Sequence, residues 1–263
     1  MAGDGALEGR VALVTGALGN LGPVWTEALA AAGATVVGVD VREPGAAERP
    51  PGEPGILHEQ ADVTDRGGLE AVRERVGQSV GAPSILVNNA GIDQPPGASA
   101  RTSLIEDVPL EDFRRTLDVN LAGAFNVTQV FGPAMCRAGR GSIVNVGSLY
   151  ASIAAEPRFY DHMEAEPPFL KPAAYGASKA GVVNLTRYFA RLWGPRGVRV
   201  NALSPGGVAG GQDAEFLSKY TARVPLGRMA EPADLAGPLV FLASDASSYL
   251  TGHELRVDGG FTA

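Results

Sequence analysis

The stretch Arg10-Val11-Ala12-Leu13-Val14-Thr15-Gly16-Ala17-Leu18-Gly19-Asn20-Leu21-Gly22 decides the fold. Its first six residues are a short, mostly apolar run closing on Gly16, the pattern of a strand buried on both faces in a parallel sheet. Apolar residues then recur at helical spacing (Leu21, Val24, Trp25, Ala28, Leu29, Ala32), and Gly33 ends the helix. A second run, Ala34 to Val39, reads as another strand and stops at Asp40. Strand, glycine-rich turn, helix and strand make a βαβ unit. Gly16, Gly19 and Gly22 let the backbone turn tightly and approach a pyrophosphate seated on the helix N-terminus. A glycine-rich turn alone carries little weight; the flanking strand and helix supply it.

The alternation continues along the chain. Strands are expected at Ile56–Ala61, Ser84–Asn88, Ser142–Val146, Val198–Ala202 and Glu254–Val257. Helices are expected near 67–80, 109–138, 174–193 and 232–243. Strands separated by helix-length segments predict an α/β fold, one doubly wound parallel sheet with helices on both faces. No repeat or composition break divides the chain, so residues 1–263 read as a single domain with a short tail at 1–8. Three segments lack a period: 42–55, rich in Pro, Gly and Glu, and the long loops 93–108 and 152–172. The first reads as a solvated loop; irregular loops of the length of the other two within one domain are usually functional or mobile.

Composition narrows the function classes. A net charge of −7 argues against nucleic acid or an anionic membrane as the main partner. Cys136 is the single cysteine, so no intrachain disulfide can form, and its periodic apolar setting predicts a packed side chain. The N-terminus lacks the basic-then-apolar pattern of a signal peptide, and no apolar run is long enough to span a membrane. The expectation is a cytoplasmic protein.

Several constellations could carry chemistry. Tyr175 and Lys179 sit four residues apart on a helix and can face one pocket. An ammonium beside a phenol favours the phenolate, which makes proton exchange with an alcohol or carbonyl feasible near neutral pH. The same spacing also occurs on solvated helix faces. Asp40, at the end of the second strand, can accept hydrogen bonds from a ribose diol and would repel a 2′-phosphate, favouring NAD over NADP. Arg42, two residues on, keeps NADP open. Asp62-Val63 and Asn88-Asn89-Ala90-Gly91 close the third and fourth strands, where ligands of open α/β sheets bind. Ser148 and Asn120 fall on the same side, although isolated Ser and Asn residues are commonly caps or turns. His58, His162 and His253 are too dispersed to suggest a metal site.

Taken in order, the Thr15–Gly22 loop, Asn88-Asn89-Ala90-Gly91, Asn120, Ser148, Tyr175-x-x-x-Lys179, Ser204-Pro205-Gly206 and Val257-Asp258-Gly259-Gly260 resemble the short-chain dehydrogenase/reductase family. The resemblance runs from about residue 9 to the end. It implies that Tyr175 exchanges a proton with the substrate oxygen and Ser148 orients that oxygen. Lys179 would lower the Tyr175 pKa and bind the nicotinamide ribose, and Asn120 would hold a water leading to solvent. It further implies a cofactor lining of Gly16, Gly19, Asn20, Leu21, Asp40, Val41, Asp62, Val63, Asn89, Ala90, Gly91, Val146, Pro205, Gly206 and Val208, together with Tyr175 and Lys179. A homotetramer acting on a small alcohol or carbonyl is the implied assembly.

Three departures matter. Single-domain relatives carry Thr-Gly-x-x-x-Gly-x-Gly, whereas Asn20 fills the middle glycine position here and the Gly16, Gly19, Gly22 spacing resembles the sugar-nucleotide branch. Gly210 stands where a Thr often contacts the carboxamide. The gap from Ser148 to Tyr175 is long, which places an insertion within 152–172 beside the substrate mouth. Tyr150, Arg158, Tyr160 and His162 are the substrate candidates there, although a solvated loop would carry the same composition. Tyr160 has Glu164 four residues on and so is not the acid–base tyrosine. The expected activity is NAD-dependent oxidoreduction of a secondary alcohol or ketone on a sugar- or polyol-like substrate. The alternatives are a 3-oxoacyl-thioester reductase and a non-catalytic nucleotide-binding regulator.

Overall fold

The run after Arg10 forms strand β1 (Val11–Thr15), and the chain turns through the glycines into helix α1 (Gly22–Ala31). The computed structural model describes residues 5–43, 45, 56–94 and 102–263. Most of the loop expected at 42–55, part of the one at 93–108 and the first four residues of the tail lie outside these. Two glycines are required where β1 meets α1. Gly16 has φ +65° and its backbone lies against Ala90, whose Cα would be 2.7 Å from any added Cβ. At Gly22 a Cβ would fall 2.2 Å from the Ala17 carbonyl oxygen.

The remaining elements are β2 (Thr35–Asp40), β3 (Ile56–Gln60), α2 (Arg66–Ser79), β4 (Ile85–Asn88), α3 (Leu110–Leu117), α4 (Ala124–Ala138), β5 (Gly141–Val146), α5 (Ala173–Trp193), β6 (Val198–Pro205), α6 (Ala214–Thr221), α7 (Pro232–Ala243) and β7 (Glu254–Val257). The seven strands are all parallel, in the order β3-β2-β1-β4-β5-β6-β7. Strand order reverses between β1 and β4, the switch point where open α/β sheets bind ligands. The sheet matches the expected doubly wound architecture.

Alternation within the strands builds a core on each face. Leu13, Val37, Leu86 and Ile143 pack against α2, α4 and α5 through Leu69, Val72, Val127, Phe131 and Trp193. Ala12, Val14, Val36, Val87 and Val144 face α1 and α7 through Trp25, Leu29, Leu235 and Leu239. Each fully buried Leu or Val stabilises by about 1.5–3 kcal/mol.

Two regions differ from the periodic reading. The helix expected over 109–138 is interrupted by a wide π-helical turn, Asp118–Gly123, between α3 and α4. Helix α6 has no counterpart in the expectation. Asp213 caps it by accepting from the Phe216 N–H at 2.8 Å, and Phe216 and Tyr220 are its buried side. It packs on the insertion, where Phe159, Tyr160 and Phe169 join Phe216, Tyr220 and Phe261 in a third, aromatic cluster. The insertion is therefore largely irregular backbone with a packed interior rather than a solvated loop.

Candidate active site

Parallel strands all present their carboxyl ends on one edge, so the residues just after β1, β2, β4, β5 and β6 converge. They line a cleft of about 950 Å³. Every residue expected to contact cofactor lines it, from Gly16 through Asp40, Asp62 and Ala90 to Val146, Pro205 and Val208. Arg42, expected beside Asp40, is in the lining too, while Val39, Ile92, Asp93, Arg115, Gly147, Ala209 and Gln212 are there without having been anticipated. Arg115 and Gln212 carried no strand-end signal because each belongs to a segment whose position only tertiary packing sets.

At one end, the Asp40 carboxylate accepts from the Leu18 N–H at 3.0 Å and the Arg42 N–H at 3.1 Å. Its side chain is 10% exposed, and Arg42 folds beside it with Nε 3.6 Å from Oδ1. Arg42 also donates to the Leu18 carbonyl. Carboxylate and guanidinium thus share the position where a ribose would be read. Asn89 has a fastening role. Its amide donates to the Thr15 and Gly16 carbonyls at 3.1 and 3.0 Å and accepts from Trp25 Nε1 at 2.7 Å. Thr15 Oγ1 in turn accepts from the Asn89 and Ala90 N–H groups, both at 3.1 Å. Together they hold the glycine-rich turn against the end of β4.

At the other end lie Ser148, Tyr175 and Lys179. Ser148 follows β5 and its Oγ accepts from the Tyr150 N–H at 3.2 Å. Pro172 starts α5, placing Tyr175 in its first turn and Lys179 one turn later. Lys179 Nζ donates to the Val146 carbonyl at 2.8 Å and lies 5.7 Å from the centroid of the Tyr175 ring. The two side chains do face one pocket. Burial lowers the Lys179 pKa to about 8, with Asp93 acting in the opposite direction. Burial also pushes Tyr175 above its ordinary value, the Asp93 charge adds to this, and a hydrogen bond with Ser148 opposes it. Burial, the Asp93 charge and the Ser148 hydrogen bond set the direction of the Tyr175 shift in the cofactor-free protein.

Asn120 lies in the π-helical turn and is buried. Its Oδ1 accepts from the Ile92 N–H at 2.7 Å, and its Nδ2 donates to the Ile92 carbonyl at 3.0 Å and Ser178 Oγ at 3.1 Å. Ser178 Oγ donates to the Tyr175 carbonyl at 2.7 Å. Asn120 thereby ties the segment after β4 to the helical turn bearing Tyr175.

The insertion residues are distributed differently from the expectation. Tyr150 stands edge-on to Tyr175, ring centroids 6.4 Å apart, in a neighbouring cavity. Tyr160 is buried in the aromatic cluster with its hydroxyl paired to that of Tyr150. Arg158 points outward, 80% exposed, and pairs with Glu156. His162 Nε2 lies 2.9 Å from Asp213 Oδ1, although without the alignment of a hydrogen bond. Arg158, Tyr160 and His162 do not line the cleft, because packing of the aromatics turns this part of the insertion toward α6. His162 does meet Asp161 and Glu215, with ligand atoms within 4.8 Å of one another. The Lys219 ammonium touches all three, which supplies a cation there already.

The enoyl-(acyl carrier protein) reductase family model matches residues 16–262. The chain is 37% identical to D-threitol dehydrogenase of Mycolicibacterium smegmatis, over 98% of this chain and 95% of that one. It is also 37% identical to a 3-oxoacyl-(acyl-carrier-protein) reductase of Thermotoga maritima, over 97% and 98%. Among solved structures, a short chain dehydrogenase from Leptospira borgpetersenii with bound NAD+ superposes with a TM-score of 0.86 at 33% identity, covering 98% of this chain and 94% of that one. A gluconate 5-dehydrogenase from Burkholderia cenocepacia in complex with NADP and tartrate gives 0.83 at 31%, covering 98% of both.

Proposed function

The chain belongs to the short-chain dehydrogenase/reductase family, and on that footing we propose that it oxidises a secondary alcohol of a sugar alcohol or related polyol with NAD. It is an oxidoreductase of CH–OH groups dependent on NAD(P). The choice of NAD rests on Asp40, whose buried carboxylate would accept from a ribose diol and repel a 2′-phosphate. The cleft suits a dinucleotide: its lining runs from that carboxylate to Tyr175 along the carboxyl edge of the sheet, and its volume of about 950 Å³ lies within the range of ligand pockets. When bound, the nicotinamide supplies the hydride acceptor. The protein's own groups do the rest. Tyr175 Oη, once deprotonated in the bound complex, takes the proton of the alcohol, and Ser148 Oγ hydrogen-bonds the same oxygen and fixes its direction. Lys179 brings positive charge to the phenolate form of Tyr175 that accepts this proton, and a donor to the ribose. Asn120 positions Tyr175 through Ser178 rather than touching substrate.

The observation that carries the reading is the convergence of Ser148, Tyr175 and Lys179 at one end of a cleft whose other end holds Asp40. The polyol class draws support from the threitol dehydrogenase relative. The reductase relative favours a thioester substrate as the second reading; Asp40 weighs against it, since biosynthetic reduction generally draws on NADPH. The exposed apolar groups Phe125, Tyr188 and Leu192 on α4 and α5, with Phe241 on α7, support a homotetramer. No helix among the described residues is long and apolar enough to cross a membrane. With one buried cysteine, Cys136, this suits a cytoplasmic, single-domain enzyme.

Thermal-shift measurements with NAD and NADP, followed by rates with tetritols, pentitols, hexitols and 3-oxoacyl thioesters, test the reading. Stabilisation grows with ligand concentration over Kd, so NAD should raise the melting temperature more than NADP at equal concentration. Turnover of thioesters with NADPH and none of polyols would overturn it.

A further inference from the structure

The two long irregular stretches meet beside Tyr175. Asp93 lies three residues beyond Ala90, and Lys171 lies two residues before α5, yet their side chains form an ion pair. The Lys171 ammonium is 5.2 Å from the centroid of the Tyr175 ring and 6.0 Å from that of Tyr150, and its side chain is only 11% exposed. Asp93 lines the cleft that holds Ser148 and Tyr175. Lys171 lines an adjoining cavity of about 520 Å³, which shares Tyr175 with the cleft. The pair therefore bridges the two spaces at the tyrosine itself. Neither residue is a strand-end, glycine-loop or acid–base group. Lys171 reaches this place because Phe169, two residues earlier, anchors the insertion in the aromatic cluster.

We propose that Asp93 and Lys171 are the specificity-determining pair of the substrate site, reading a hydroxyl next to the reacting carbinol on an uncharged polyhydroxy chain. This rests on the alcohol-dehydrogenase reading and narrows it. A hydroxyl both donates and accepts, and the pair offers one strong acceptor beside one strong donor. The pair carries no net charge. An anionic chain, such as a sugar acid or a phosphopantetheine carrier, would set its charge against Asp93. A plain alkyl chain would strip water from both charges and return no hydrogen bond, which a site built for hydroxyls rejects strongly.

The test compares kcat/KM of the full-length enzyme for a four-carbon tetritol, for the tetronate of the same chain, and for 2-butanol. Lys171→Met should lower the tetritol to 2-butanol ratio by about ten- to a hundredfold, the weight of a hydrogen bond to a charged group, and Lys171→Arg should recover most of it. Asp93→Asn, which keeps the side-chain shape, should raise the tetronate to tetritol ratio by about tenfold or more, since the repelling carboxylate is gone and Lys171 is left to pair with the substrate. Ratios that stay at the wild-type value in both Asp93→Asn and Lys171→Met overturn the proposal while leaving the dehydrogenase reading intact. A wild-type enzyme that oxidises none of the three with either cofactor defeats the dehydrogenase reading, and the pair's role falls with it.

Discussion

Tyr175 is held neutral by its surroundings: burial disfavours the phenolate, Asp93 adds a like charge, and the hydrogen bond with Ser148 only partly offsets them. An acid–base group so protected needs help from what binds beside it, and Ser148 and Lys179 are the groups placed to give it. Tyr175→Phe should lower kcat by about 10²- to 10⁴-fold, the range for loss of a general acid–base group. Cofactor affinity, read by fluorescence titration, should fall far less; undiminished turnover would reassign the proton transfer. Lys179 makes a separate prediction about stability. Its folded pKa of about 8 lies below the ordinary 10.5, so between those values the unfolded chain binds the proton and the folded one does not. Its contribution to stability therefore rises with pH from about 8 toward 10 and is least below 8, where the buried ammonium is charged. Urea unfolding of the cofactor-free enzyme should show that rise relative to Lys179→Met, whose own curve keeps the contributions of the tyrosines, Cys136 and Lys219; parallel curves would contradict it.

Helix α6 and the insertion are one structural unit, although separated in sequence by α5 and β6. Phe159 meets Phe216 and Phe261 edge-on, with ring centroids 6.1 and 6.2 Å apart, and Tyr160 meets Phe169 at 5.0 Å. Phe169 is almost wholly buried. Phe169→Ala should cost about 3–5 kcal/mol of stability. Because it also frees Lys171, KM for polyols should rise with little change in NAD affinity. Denaturant melts and steady-state kinetics check both; a loss under about 1 kcal/mol would mean that the insertion is not packed as described. This unit was not legible beforehand. Its aromatics follow neither a 3.6- nor a 2-residue period, so composition alone left a substrate lining and a solvated loop equally open. The π-helical turn was also hidden: the apolar pattern over 109–138 continues through it, and the wide turn is tied instead to the bond between Asn120 and Ile92.

At the scale of the molecule, the carboxyl edge of the sheet is taken up by the cleft, which leaves the outer helix faces among the surfaces open to a partner. On these, Tyr188 and Leu192 of α5 are 59% and 51% exposed, and Phe125 of α4 is 38% exposed. Light scattering should give a tetramer for the wild type, and a Tyr188→Glu, Leu192→Glu double variant should give a smaller species; a monomeric wild type would refute the assembly. The sequence by itself determined the sheet, its parallel order of elements and the residues at the strand ends, because buried strands and amphipathic helices write their periods into the chain. It also placed Tyr175 and Lys179 together, since a helix fixes what lies four residues on. Only the tertiary structure decided that Arg158, Tyr160 and His162 turn away from the cleft while Asp93 and Lys171 meet at Tyr175. Those positions depend on how irregular backbone packs against elements distant in sequence, and no local period records that.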